Sequence, residues 1–182
     1  TLLCQQCRSI AYCSKECQKS DWSCHKLVCS QFKEVPARPG ESWKLAIFFA
    51  EDSPSPKLIW AECKTMYDPD DIPSTWYMPN IDQYICPKTK PESSPEYNVV
   101  GRNLVRNRDL EYQLVVVARD TFLFDGSQIN QGVKKATKGM MGHTWCGPIT
   151  AMHTTNKRYD SVTTYGDVTL RDFRDVVDYF AS

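Results

Sequence analysis

The sequence predicts an α+β protein in two parts: a small cysteine-rich helical unit over residues 1–34, then a domain of antiparallel strands with a C-terminal helix over residues 44–182. Three observations predict this. Six of the nine cysteines fall within the first 29 residues. Beyond them the chain turns to strand-sized runs of β-branched and aromatic residues. Near the C-terminus, a helix cap is followed by apolar side chains at helical spacing.

Each element has a local reason. Ser14 is placed to cap a short helix through Cys17 and Gln18, and Asp21 to cap a second one through Trp22, His25, Cys29 and Phe32. Val35-Pro36-Ala37-Arg38-Pro39-Gly40 is Pro/Gly punctuation and opens a linker over residues 35–43. Residues 44–50 and 57–63 read as two strands joined by the turn Ser53-Pro54-Ser55-Pro56, hence a hairpin. Residues 64–108 are rich in proline and poor in periodicity, so the expectation there is long surface loops. The acidic run of Asp68, Asp70 and Asp71 reads as a solvated loop, because Pro69 interrupts it and calcium-loop spacing is lacking. Residues 114–117 are continuously apolar, which predicts a central strand over 111–118. Residues 121–124, ended by Asp125-Gly126, are its expected hairpin partner. Thr169 and Asp172 have the spacing of a capping box, and Leu170, Phe173, Val176, Val177 and Phe180 then line one helix face.

Composition narrows the function. Lysine plus arginine (22) balances aspartate plus glutamate (22), without the basic excess expected of a nucleic-acid surface. No stretch approaches the roughly 20 apolar residues that span a bilayer. The cysteines are odd in number and no export signal is visible, so metal binding in a reducing compartment, nucleus or cytoplasm, is favoured over a disulfide scaffold. The chain begins at Thr1, which leads to the expectation of a processed product or a fragment of something longer.

The ligand spacing is Cys4-x2-Cys7, Cys13-x3-Cys17 and His25-x3-Cys29. A tight turn or one helical turn brings such pairs within reach of one zinc ion, which takes four soft ligands at about 2.0–2.3 Å. A single pair is weak evidence, but three in so short a segment are strong. Only Leu2, Leu3, Ile10, Tyr12, Trp22, Leu27, Val28 and Phe32 offer apolar burial there, so folding of the unit is expected to depend on zinc.

Tyr12-Cys13-Ser14-Lys15-Glu16-Cys17-Gln18, with Asp21-Trp22 and His25-Lys26-Leu27-Val28-Cys29, closely resembles the MYND-type zinc finger. In that family eight ligands in four pairs hold two interleaved zinc ions. The resemblance implies that Cys4, Cys7, His25 and Cys29 close one Cys3His site, while Cys13 and Cys17 are half of another. The family's first Cys-x2-Cys would fall before Thr1. One complete Zn2+ site is therefore expected, the chain being truncated or the finger working with one metal. Cys24, at a position the family leaves variable, is set aside as a substitute ligand. Residues 110–182 faintly resemble the carboxy-terminal parts of uncharacterised fungal proteins bearing MYND fingers, which names no activity.

A closed Cys3His site leaves no position for water or substrate and is structural. The resemblance implies a docking module for protein partners, specifically short proline-containing peptides, with Gln18 and Trp22 at the contacting positions. Trp22 could equally pack the small finger. The alternative is an enzyme in residues 41–182, targeted by the finger. Some MYND proteins carry a SET methyltransferase domain, but its Asn-His-Ser-Cys type segment is lacking. Gly142-His143-Thr144-Trp145-Cys146-Gly147-Pro148 could hold a thiol nucleophile, Cys146, with His143 or His153 as base. The competing reading is a buried turn that packs Trp145 on the sheet. Burial of Cys146 discriminates between the two.

Overall fold

The N-terminal unit is built around a knuckle. Strands β1 (Leu2–Leu3) and β2 (Ala11–Tyr12) pair antiparallel, Leu2 opposite Tyr12. The Cys4–Cys7 turn lies between them and closes through Arg8 N–H to Cys4 C=O at 3.0 Å, with Arg8 in the left-handed region at φ 55°. The computed structural model describes residues 1–67, 75–86, 93–155 and 163–182. The acidic run at residues 68–71 lies outside the described residues. Helix α1 (Lys15–His25) starts at the expected cap, where the Ser14 side chain accepts from Cys17 N–H. Asp21 does not cap a second helix, however. No Gly or Pro interrupts α1 before it, so the helix runs through Asp21 and turns off only after His25. There Leu27 and Val28 bond back to Cys24 and His25, and α2 (Cys29–Lys33) begins. His25 and Cys29 thus stand on two helices, not one.

The larger part is a seven-stranded antiparallel sheet. Strands β3 (Trp43–Phe49) and β4 (Lys57–Tyr67) form the expected hairpin, Trp43 opposite Glu62 and Phe48 opposite Lys57. With β5 (Thr75–Pro79), β6 (Pro95–Asn103), β7 (Arg108–Arg119), β8 (Ile149–Thr154) and β9 (Tyr165–Gly166), the order is β5-β4-β3-β8-β7-β6, and β9 pairs with β8.

Two expectations fail here. Residues 64–108 are not only loops, since they hold the end of β4, β5, helix α3 (Asp82–Ile85) and β6. Their prolines mislead because Pro79 ends a strand and Pro95 opens one, places where a missing N–H costs little. Residues 121–124 are a turn rather than a strand, and β7 pairs with β6 and β8.

Alternation along β7 decides which layer covers each face. Leu114, Val116 and Ala118 point into the larger core with Phe49 and the C-terminal helix, while Val115 and Val117 join Met152, Ile81 and Ile85 on the opposite side. The run reads as continuously apolar because both faces are covered.

Helix α5 (Leu170–Phe180) carries the predicted capping box. Asp172 N–H donates to Thr169 Oγ1 at 3.2 Å, and Thr169 N–H donates to Asp172 Oδ2 at 2.7 Å. Its apolar face lies on the sheet, with Phe173 stacked on Phe49 and Phe180 edge-on to it, ring centroids 6.3 and 5.2 Å apart. A second short helix, α4 (Gln131–Ala136), is capped by Asn130.

The cysteine-rich unit shares this core, since Cys24, Val28 and Cys29 are buried in the same cluster as Leu45, Phe49 and Val177. Gln31 ties α2 to β4, donating to Pro56 C=O at 2.8 Å and accepting from Leu58 N–H at 2.9 Å. Between the parts, Arg38 pairs with Asp167 and covers the Trp60 ring.

Candidate metal centre

Four side chains separated by up to 25 positions meet in the interior. The Sγ atoms of Cys4, Cys7 and Cys29 and a ring nitrogen of His25 all lie within 4.8 Å of one another. Their residues are 8% exposed or less. Cys4 Sγ and Cys29 Sγ are 3.9 Å apart, and Cys7 Sγ is 3.4 Å from His25 Nε2. A zinc tetrahedron has edges of about 3.8 Å between thiolates and about 3.6 Å between thiolate and imidazole, from its usual bond lengths. These two pairs stand close to those separations, all four donors lie within 4.8 Å of one another, and the donor set is one zinc prefers. The fit is good.

The local electrostatics favour the ligand forms. Burial alone would raise the Cys4 thiol, but the backbone N–H groups of Cys7 and Gln6 outweigh it and hold the thiol below its ordinary value. Burial, followed by the neighbouring sulfurs, pushes Cys29 up to about 12. Three thiols this close resist joint ionisation unless a cation is among them. Burial lowers His25 against the opposing pull of Asp21, which favours the neutral imidazole that a ligand requires.

The other face of His25 was not anticipated from the sequence. Its Nδ1 lies 2.7 Å from Tyr12 Oη, and that hydroxyl donates to Asp21 Oδ2 at 2.7 Å. Nδ1 therefore carries the proton and Nε2 is left free for the metal, the outer-shell arrangement that orients metal-binding histidines. Asp21 in turn faces Arg174 of α5 at 3.9 Å. In the sequence Tyr12 reads as an apolar residue to bury and as the start of the finger-like motif, with no role toward His25. Its place beside Cys13, with Asp21 on the helix that follows, is the available signal. Replacing it, Tyr12→Phe, is expected to weaken zinc binding about tenfold, read by competition with a chromophoric chelator. Unchanged affinity would show that the hydroxyl does not orient the ring.

The remaining predicted residues are placed elsewhere. Cys13 and Cys17 are exposed, with Sγ atoms 2.9 Å apart, and do not join the four-residue cluster. Cys24 is buried and raised to about 12, mainly by burial, and also stands outside it. Trp22 is 43% exposed although its ring meets His25 edge-on, centroids 5.5 Å apart. Gln18 is half-buried one turn earlier on α1.

The segment weighed as a catalytic site is a packed turn. Trp145 is buried between Phe122 and Phe180. Gly147 takes φ 71°, donates its N–H to Gln128 C=O at 2.9 Å, and accepts from Asn130 Nδ2 at 2.7 Å. Cys146 is buried, and burial raises its thiol. His153 lies elsewhere, its Nδ1 3.2 Å from Asp172 Oδ1 without hydrogen-bond geometry and its ring against Tyr112.

Comparison with protein families matches residues 1–29 to the MYND finger. Among curated proteins, the chain is 53% identical over 47 residues to SET domain-containing protein 14 of Caenorhabditis elegans, covering 26% of this chain and 11% of that one. It is 63% identical over 30 residues to Dauer abnormal formation protein 25 of the same organism, 16% of this chain and 8% of that one. It is 45% identical over 40 residues to the mouse N-lysine methyltransferase SMYD2, covering 22% and 8%. The matched segment spans 11% or less of the length of these relatives. No solved structure matches the chain.

Proposed function

Because residues 1–29 form a MYND finger, a zinc-binding protein-interaction module, we propose that this chain is an adaptor whose finger docks short proline-containing peptides on the face of α1 bearing Gln18 and Trp22. Trp22 carries the reading. Its indole rests edge-on against a metal-facing histidine yet is 43% exposed, so it offers a flat, pre-positioned surface. An extended proline-rich ligand loses little entropy on docking there.

Trp22→Ala tests this on a peptide array and in solution. Loss of at least about tenfold in affinity is expected, with zinc content and thermal stability little changed, because the ring is half in solvent. Binding that survives the substitution would move the groove elsewhere.

One zinc per chain is the proposed content, held by Cys4, Cys7, His25 and Cys29, with Cys13 and Cys17 offering half of a second site. Metal quantification on the intact chain decides between one ion and two. A zinc site built on thiolates favours a reducing compartment, nucleus or cytoplasm, on this reading. Among the described residues, no helix is long and apolar enough to cross a membrane. The enzyme alternative gains nothing from Cys146, a buried thiol with a raised pKa.

A further inference from the structure

Two open clefts flank the finger, and their charges differ. The one beside Cys13 and Cys17, about 630 Å3, is lined by Arg106, Arg108, Arg171 and Arg174 together with Glu16 and Asp21. Arg106, Arg108 and Arg174 are already paired with Asp175 and Asp178, and Glu16 and Asp21 line the cleft beside Arg171, so little net positive charge is left for a ligand. The other, about 490 Å3, lies where the end of α1 meets α4 and is lined by Ser23, Lys26, Gln131, Lys134, Lys135 and Lys138, among others. Among the described residues, no acidic side chain lines it. Its four lysines are exposed, and none forms an ion pair among the described residues.

In a chain with 22 basic and 22 acidic residues, that is a marked local excess of positive charge. The backbone gathers it at one place. After α4 the chain reverses through Lys138 (φ 57°) and Gly139 (φ 80°), with Gly139 N–H donating to Lys134 C=O at 2.8 Å. Lys26 brings the finger into the same cleft. It follows Gln18 and Trp22 at successive i+4 positions, so the three form one stripe along the helix that ends among the lysines.

We propose that the peptide partner carries an acidic segment on one side of its proline-containing core, and that Lys26, Lys134, Lys135 and Lys138 receive it. This rests on the reading of Trp22 given above. Charge complementarity selects the occupant: acidic side chains meet four uncompensated cations while the core lies on the indole. Each exposed pair is weak and screened by salt, so the effect comes from several acting together and is largest at low ionic strength.

The zinc-loaded full chain is titrated with fluorescein-labelled peptides that share an Ala-Pro-Ala-Pro-Ala core, flanked on either side by six glutamates or six glutamines. Glutamates on one side only are expected to tighten binding about tenfold over glutamines at low salt, and the gain should fall below about twofold at high salt. The combined Lys134→Gln, Lys135→Gln and Lys138→Gln variant should abolish the gain. Equal binding of both flanks, or a gain that survives the lysine variant, overturns the proposal. So does a twelve-nucleotide oligothymidine that binds through these lysines more tightly than the glutamate peptides, which would mark a phosphate-backbone surface. Trp22→Ala separates the two readings. If the glutamate gain persists but neither peptide responds to Trp22→Ala, the lysine cleft stands and the proline groove falls. If only the core binding responds to Trp22→Ala and glutamates add nothing, the reverse holds.

Discussion

Stripping zinc with a chelator is expected to destabilise the whole chain, not merely the finger. The ion is asked to hold three buried thiols and a buried imidazole that otherwise have few partners, and structural zinc contributes its binding free energy directly to folding. What extends the effect is shared packing. Cys24, Val28 and Cys29 lie in one core cluster with Leu45, Phe49 and Val177, and Gln31 ties α2 to β4. A finger that melts therefore uncovers part of the sheet. The expected result is a fall of about 10 °C or more in the main thermal transition, seen together by circular dichroism and tryptophan fluorescence. Cys29→Ser should reproduce it without chelator. A metal-free chain that keeps its transition within a degree or two would remove zinc from the structural account.

The second large effect is expected at Asp178. This carboxylate is 2% exposed on the polar side of α5. It accepts from Asn103 Nδ2 at 2.9 Å, Arg106 Nε at 2.6 Å and Arg174 Nη2 at 2.6 Å. Asp178→Ala leaves Arg174 and Asn103 facing a vacated site, and removing one partner of a buried pair is among the costliest single changes. About 3 kcal/mol is expected, at the low end because Arg106 is half in solvent. That corresponds to about 6–12 °C in the thermal midpoint.

The pH dependence carries the same sign. Burial would raise Asp178, but the bonds from Asn103, Arg106 and Arg174 outweigh it and hold it below its ordinary 3.8. Its contribution is complete above pH 4 and is lost as pH falls toward the depressed value. The wild type should therefore lose stability more steeply below pH 4 than Asp178→Asn. Parallel acid curves would show that the carboxylate is not held ionised by its neighbours.

These networks mark the border of what sequence reading reached. The Cys4/Cys7 and His25/Cys29 pairs of the cluster were legible because soft ligands a turn apart in the chain impose their own geometry. The capping box of α5 and the β3–β4 hairpin were legible for the same reason. The polar face of α5 was not. Asp172, Asp175 and Asp178 at i+3 spacing look like a solvated stripe, yet each is 8% exposed or less. Asp175 and Asp178 are covered by Asn103, Arg106 and Arg108, at least 67 positions away in the chain, whereas Asp172 is held by Thr169 in the capping box. Asp21 looked like a cap because caps are local, and it became a partner of Tyr12 because β2 and α1 converge on the metal.

By itself, then, the sequence determined the α+β class, the short-range Cys4/Cys7 and His25/Cys29 pairs from which the buried cluster is built, and the start and apolar face of the last helix. Each of these depends on spacing within a few turns of chain. Only the tertiary structure decided the strand order, the tautomer of His25, the burial of the α5 carboxylates and the gathering of lysines from α1 and α4. Those depend on which distant side chains neutralise, cover or oppose one another once the sheet has closed, and no local pattern records that.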